Sequence, residues 1–439
     1  MEILIKTGQL LLSLSILIVL HELGHFAFAK LFKARVEKFY LFFDPWFSLF
    51  KFKKGETEYG IGWLPLGGYV KISGMIDESM DKEQLKEPPQ PYEFRSKPAW
   101  QRLLIMVGGV LVNFLLAIAI YIMVLFVWGE EYLPVRNASY GVVCDSTAMS
   151  MGLRDGDKLL EVDGQPVDDF SDFKRKVLLD ETQTIRVERE GRTVDIAVDQ
   201  SDVAAIIRSE SYFVNPAFPF VVDEFAEESP ARAAGLSPGD QIVGIDGDTL
   251  LYFAAISKAL ENRAGQEVTL AVLRDGQPMD IKVKLTEQGK LGVYARAPAQ
   301  FLEMEQLEYS LGEAIPAGVG KGYTEVKDYL KQLKLLFQPE TEAYKSVGGF
   351  IAIGSIFPDT WDWYVFWKMT ALLSIMLAVV NILPIPALDG GHVLFLLFEM
   401  VSGRKPSDKF LEYAQLTGMV ILLTLLIYAN GNDIVKLFD

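Results

Sequence analysis

Two of the chain's three histidines stand four residues apart in His21-Glu22-Leu23-Gly24-His25. On a helix that spacing puts both imidazoles on one face, where they can grip one Zn²⁺ with Glu22 beside it as a general base. The flanking residues are apolar enough to cross a bilayer, and an acid there is costly enough to mark function. A hydrolytic zinc site keeps three protein ligands and leaves a fourth position for water. The third ligand must therefore come from elsewhere. The other suitable cluster is Asn381-Ile382-Leu383-Pro384-Ile385-Pro386-Ala387-Leu388-Asp389-Gly390-Gly391-His392. There Pro384 and Pro386 interrupt an apolar run, leaving backbone groups unpaired within the protein. Asp389 and His392 are both candidates, and coordination chemistry alone slightly favours His392.

The elements that must position these residues are membrane spans. The chain has 439 residues, 50% of them hydrophobic, too apolar for an ordinary soluble enzyme and too polar for spans alone. Four segments approach the roughly 20 residues a spanning helix needs: Thr7 to Ala29, Leu103 to Trp128, Thr370 to Leu388 and Tyr413 to Ala429. Lys30, Lys33, Arg35 and Lys38 follow the first span, and Arg95, Lys97 and Arg102 precede the second. Arg404, Lys405 and Lys409 follow the third, while Glu130, Glu131, Asp359 and Asp362 mark the opposite ends. The positive-inside rule then puts both termini outside, with 30–102 and 389–412 partly or wholly cytoplasmic. Residues 9–20 also resemble a signal-peptide core with Ala27-Phe28-Ala29 as a cleavage site. Glu2 and Lys6 cancel, however, and lack the basic start of a signal peptide, so the first span is expected to be retained.

Acidity is concentrated in one region. Residues 128–365 carry 23 Lys and Arg against 40 Asp and Glu, and the remainder 19 against 18. No basic face for phosphates appears, which argues against nucleic acid as a partner. The lone Cys144 cannot form an internal disulfide. Within the acidic region Gly152-Leu153-Arg154-Asp155-Gly156-Asp157 recurs as Gly235-Leu236-Ser237-Pro238-Gly239-Asp240, and Asp163-Gly164 as Asp246-Gly247, at a single offset of 83. Strand-like runs (Lys158–Val162, Gln241–Ile245) and helical patterns (Asp169–Leu179, Tyr252–Asn262) accompany each copy. A duplicated domain of about 80 residues is expected. The two copies resemble bacterial PDZ domains, which bind an extended peptide by strand addition.

The segment 55–73 suits a hairpin or short edge strand, and its stretch 60–73, with Ile61, Trp63, Leu66 and Tyr69 alternating, could receive a substrate strand. Residues 76–97, acidic and proline-rich, read as a mobile linker. Residues 309–338 read as an amphipathic helix. The expected fold is thus a polytopic α-helical membrane protein of four transmembrane helices with two inserted PDZ-like α+β domains. Its divisions are a first transmembrane helix (1–30), a cytoplasmic or re-entrant hairpin and linker (31–102) and a second helix (103–128). The PDZ-like units (129–204 and 205–300) and an amphipathic segment (301–363) follow. The third helix with its loop (364–412) and the fourth helix (413–439) complete the chain.

HELGH in the first span, Pro65–Ile72 (PLGGYVKI), the tandem PDZ-like units and NILPIPALDGGH together resemble the bacterial site-2 protease family over essentially the whole chain. The resemblance implies Asp389 as the third zinc ligand beside His21 and His25, and Glu22 as the catalytic base. It implies substrate contacts at Asn381, Pro384 and Pro386, and the hairpin motif adds Gly67, Gly68 and Tyr69. Some members have Gly-Pro where this chain has Gly108-Gly109, a departure expected to lie away from the metal. The implied function is zinc-dependent cleavage inside single-span membrane proteins, of anti-sigma-factor or remnant-signal-peptide type, at a bacterial inner membrane with termini and PDZ-like units periplasmic. The competing reading is a PDZ-bearing membrane scaffold with a structural metal. A structural zinc site is closed by four ligands, so His392 would have to join Asp389.

Overall fold

The computed structural model describes residues 2–65, 67–75, 88–209, 212–436 and 438. The chain forms two compact units. The first comprises Met1–Gly129, Glu308–Leu333 and Val347–Asp439; the second, Glu130–Leu307 and Lys334–Ser346.

The first unit is built on long apolar helices: α1 (Glu2–Leu31), α2 (Ala99–Trp128), α3 (Leu311–Leu336), α4 (Trp363–Ile382), α5 (Asp389–Ser402) and α6 (Asp408–Lys436). Among the described residues, four of these (α1, α2, α4 and α6) are long and apolar enough to cross a membrane. Their ends obey local rules. Glu2 in the first turn and Lys30 in the last complement the dipole of α1. Asp362 caps α4 by accepting from Val365 N–H. Gly129 (φ +74°) ends α2 and Gly403 (φ +68°) ends α5.

The third span departs from expectation. The third helix starts at Trp363 and stops at Ile382, rather than running from Thr370 to Leu388. Pro384 holds Leu383 in extended backbone (φ −59°, ψ 143°), which ends the helix well before Leu388. Asp389 therefore opens a new helix, α5, instead of closing the span. Residues 389–402, expected as part of a loop, are helical and largely apolar.

Polar side chains hold the apolar helices together. Ser13 and Thr370 meet at 2.9 Å, and Ser374 Oγ donates to the Asn113 carbonyl at 2.7 Å. Gln9 donates to Pro358 O at 2.9 Å. All but Pro358 are buried, and such bonds substitute for a hydrophobic drive that lipid does not supply. Close backbone contact adds to them. A Cβ at Gly24 would lie 2.8 Å from Gly109 N, and one at Gly108 would lie 2.8 Å from Gly24 O, so α1 and α2 touch backbone to backbone here. The face of α3 bearing Gly318 and Gly322 packs on Ile122 and Ile118 of α2.

A four-stranded sheet follows α1: β1 (Val36–Leu41), β2 (Phe50–Lys54), β3 (Thr57–Ile61) and β4 (Tyr69–Ile72), in the order β2-β3-β1-β4. β2 and β3 form a hairpin turning at Gly55 (φ +64°), so its first strand precedes the 55–73 segment in which a hairpin was expected. β1 joins them in parallel with β3, so the sheet is mixed. The edge expected across 60–73 is not one strand: it breaks after Ile61 and resumes only at Tyr69, with β4 outermost beside β1. Leu66 of that pattern lies outside the described residues. So does 76–87 of the expected linker; 88–92 is exposed, and the chain packs from 93 onward. Phe94 is buried with Val36, Ile72 and Ile105, Glu93 bonds Arg95, and Lys97 Nζ donates to Lys33 O and Pro91 O.

In the second unit the duplication extends into three dimensions. Strands Lys158–Val162 and Gln241–Ile245 are each flanked by an antiparallel hairpin, Thr184–Arg189 with Arg192–Ala197 and Glu267–Arg274 with Gln277–Lys284. Leu153, Leu159, Val162, Phe173 and Val187 fill one core; Leu236, Ile242, Ile245, Ile256 and Leu270, at the same offset, fill the other. Each copy closes with a forked ion pair. Arg189 reaches both carboxylate oxygens of Asp157 and the Gly152 carbonyl, all at 2.7 Å. Arg274 does the same to Asp240 (2.8 and 2.7 Å) and Gly235 O (2.8 Å). The Arg274 hydrogen bonds hold the buried Asp240 carboxyl below its usual range. A carboxyl with a lowered folded pKa stabilises above its unfolded value near 4 and loses that contribution as pH falls through the folded one. Urea unfolding followed at decreasing pH should therefore show the stability gap between wild type and Asp240→Asn narrowing below about pH 4. At neutral pH, Asp240→Asn should cost about 2 kcal/mol in urea unfolding.

Candidate metal centre

Helix α1 carries the first half of the centre. With His21 and His25 one turn apart, their rings meet edge to face with centroids 4.8 Å apart. The contact at Gly24 brings this face onto α2, and Gly109 makes room for it. A Cβ at Gly109 would lie 2.8 Å from His21 Nε2 and would overlap the His25 ring as well. The Gly108-Gly109 pair is therefore not remote from the metal centre, as the sequence suggested; it forms part of the wall.

The second half comes from the turn between α4 and α5. Gly390 packs so closely on Leu383 O and Ile382 O, and Gly391 on Ile385 O (2.6 Å from a built Cβ), that neither admits a side chain. The turn is folded flat on the start of α5, and Asp389 is aimed at α1. Ala387 sits at φ +76°, an uncommon conformation for a residue with a Cβ, and its N–H donates to Gln415 of α6 at 3.2 Å.

These elements bring three donor atoms together. His21 Nε2 and His25 Nε2 are 3.2 Å apart, and Asp389 Oδ2 lies 3.2 Å from the first and 3.3 Å from the second. Bonds of about 2.0–2.1 Å to a tetrahedral Zn²⁺ place neighbouring ligand atoms about 3.3–3.4 Å apart. The triangle has that size. Asp389 Oδ2 is also buried without a hydrogen-bond partner, as expected of an atom whose partner is an ion. His25 Nδ1–H donates to the Ile105 carbonyl of α2 at 2.8 Å, which leaves the Nε2 lone pair facing the other two donors. The donor set suits Zn²⁺. Among the described residues, His21, His25 and Asp389 form the one such cluster of His, Cys, Asp and Glu, and His392 is not in it.

Glu22 stands beside the cluster, within electrostatic reach of His21, His25 and Asp389, and its carboxylate meets the backbone of Val70 in β4. Gly68 lies against it, since a Cβ there would come within 3.3 Å of Glu22 Cγ. The outer strand of the sheet thus runs past the acid. Tyr69 hydroxyl donates to Asp44 at 2.8 Å and its ring stacks on Tyr40, so its side chain is occupied within the sheet. Gly67 lies on Phe43. Asn381, at the end of α4, reaches His21 Nε2 at 3.4 Å; Pro384 and Pro386 shape the turn next to it. Asn113, which sequence reasoning passed over, lies 3.3 Å from His21 Nδ1. A lone amide within an uncharged span was the available signal.

Comparison with known proteins points to a zinc enzyme. The description of peptidase family M50 matches residues 9–425. The chain is 29% identical over 437 residues to a Rickettsia conorii protein named "Putative zinc metalloprotease", covering 98% of both chains. It is 27% identical over 448 residues to a Neisseria meningitidis protein of the same designation, covering 96% of this chain and 97% of that one. It is also 27% identical over 457 residues to the regulator of sigma-E protease RseP of Escherichia coli, covering 98% of both. Gly109→Ala should push a methyl group into the imidazole pair. Metal analysis after dialysis is expected to find most of the zinc lost, with the helical circular dichroism of the wild type retained.

Proposed function

The chain belongs to peptidase family M50, and from that membership we propose how its residues divide the work. It is a zinc metalloprotease of the membrane, acting in regulated intramembrane proteolysis. His21, His25 and Asp389 hold the ion, an assignment that rests above all on the 3.2–3.3 Å triangle of their donor atoms. Zinc at this position supplies a Lewis acid that makes a water molecule acidic near neutral pH. Glu22 takes the proton from the attacking water and later returns one to the leaving amine. Asn381, beside His21, orients the substrate at the scissile bond, and Pro384 and Pro386 keep the turn open for it.

The substrates are single-span membrane proteins cut within the bilayer, of anti-sigma-factor or remnant-signal-peptide type. A spanning helix hides its carbonyls in i to i−4 hydrogen bonds and must unwind before attack. The outer strand β4, passing Glu22 with Gly67, Gly68 and Tyr69 at its start, offers replacement bonds by strand addition. The excess of Lys and Arg at one end of the spans supports an orientation with 30–102 partly or wholly on the cytoplasmic side of a bacterial inner membrane and both termini outside. The duplicated units of the acidic region, read as PDZ-like modules, then lie in the periplasm and select substrates by their extracytoplasmic portions.

Cleavage of a purified single-span substrate by the detergent-solubilised protein tests this reading. Glu22→Gln should lower the rate about 100- to 10,000-fold while leaving bound zinc unchanged. Undiminished cleavage by that variant would remove Glu22 from the reaction. His392→Ala should retain its zinc, as an open three-ligand site requires; loss of the metal would instead favour a closed structural site.

A further inference from the structure

Asn113 of α2 is fully buried one turn beyond Gly109, and its backbone carbonyl is fixed to α4 by Ser374 Oγ at 2.7 Å. Its amide nitrogen faces His21 Nδ1 at 3.3 Å, while its Oδ1 is buried with no hydrogen-bond partner. An amide N–H donating to Nδ1 would put the ring proton of His21 on Nε2. That nitrogen points at the triangle, where a protonated Nε2 cannot coordinate an ion. That protonated nitrogen would lie 3.2 Å from Asp389 Oδ2, an atom that nonetheless lacks a hydrogen bond.

Half a turn of the Asn113 amide removes the conflict at His21. Oδ1 then accepts from His21 Nδ1–H, the orphaned oxygen is satisfied, and the Nε2 lone pair is left for the metal. His25 already has this arrangement through Ile105 O at 2.8 Å. The two imidazoles would be oriented alike, one by a backbone carbonyl of α2 and the other by a side-chain carbonyl of the same helix two turns on.

We propose that Asn113 is a positioning residue that fixes the tautomer and ring orientation of His21 by accepting its Nδ1 proton. This inference rests on the reading of His21 as a zinc ligand. Outer hydrogen bonds of this kind hold a ligand ring in place before the ion arrives, and their loss is felt as metal affinity. A carboxylate can replace the amide oxygen in this role, whereas an isosteric alkyl group cannot.

The test uses the full-length protein in detergent, comparing wild type with Asn113→Asp, Asn113→Leu and His21→Ala. Zinc affinity is measured by chelator competition, the absorption spectrum after Co²⁺ substitution, and the thermal midpoint without metal. Asn113→Leu should weaken zinc binding roughly 10- to 100-fold and alter the Co²⁺ bands, while Asn113→Asp stays close to wild type in both. Wild-type affinity in the Leu variant overturns the proposal, as does an Asp variant as weak as the Leu variant. A metal-free midpoint falling alongside affinity would make Asn113 merely structural and overturn it too; where the Leu variant does not fold, Asn113→Ala takes its place. Wild-type zinc affinity in His21→Ala would sink the ligand assignment itself. Its loss there, with Asn113→Leu unaffected, sinks only the role of Asn113.

Discussion

Everything at the centre depends on two helices approaching without side chains between them. Gly24 on α1 meets Gly108 and Gly109 on α2 at backbone distance, and the histidines flanking Gly24 are thereby carried against the wall of α2. Here α2 is more than packing. It presents the Ile105 carbonyl to one ring, the Asn113 amide to the other and an empty Cβ position at Gly109 to both. A protein that places imidazoles in an apolar bundle must supply partners for the nitrogens that do not bind metal, since water cannot. Ile105 and Asn113, two turns apart on one helix, stand where that demand arises, and Gly109 between them leaves the rings room.

The same economy governs the other side. Asp389 is delivered by a turn made possible by two prolines that end α4 and two glycines that let the broken chain lie flat on α5. Each proline removes a donor, and each glycine removes a clash. The carboxylate arrives at the head of a helix, and all three donors come from regular elements or their first turns. Such placement limits their motion more than a loop would.

Much of this was legible from the chain itself. The HELGH spacing specified a shared helix face, and the broken apolar run specified a second polar insertion at bilayer depth. The repeat in the acidic region marked strands 158–162 and 241–245 because a period of 83 residues survives in turn glycines and aspartates. Other features could not be read. Donor chemistry alone does not choose between Asp389 and His392; the choice depends on where a helix restarts after Pro386, a tertiary matter. β1 has no alternation of its own to announce it, because its place between β3 and β4 buries parts of both faces. The importance of Gly109 and Asn113 lay in contacts across nearly a hundred residues of sequence, where no local pattern reaches.

Ala387 ties these elements to the periphery. Its left-handed backbone costs on the order of 1 kcal/mol and persists because α6 holds it, through Gln415 at its N–H and Gly418 pressed on the neighbouring carbonyl of Pro386. Most of α6 is exposed on its apolar surface, with only 11% of its spanning window buried. The last helix thus combines a long exposed apolar face with a contact two residues from Asp389. A tilt of this helix would therefore be felt directly in the backbone that leads into Asp389.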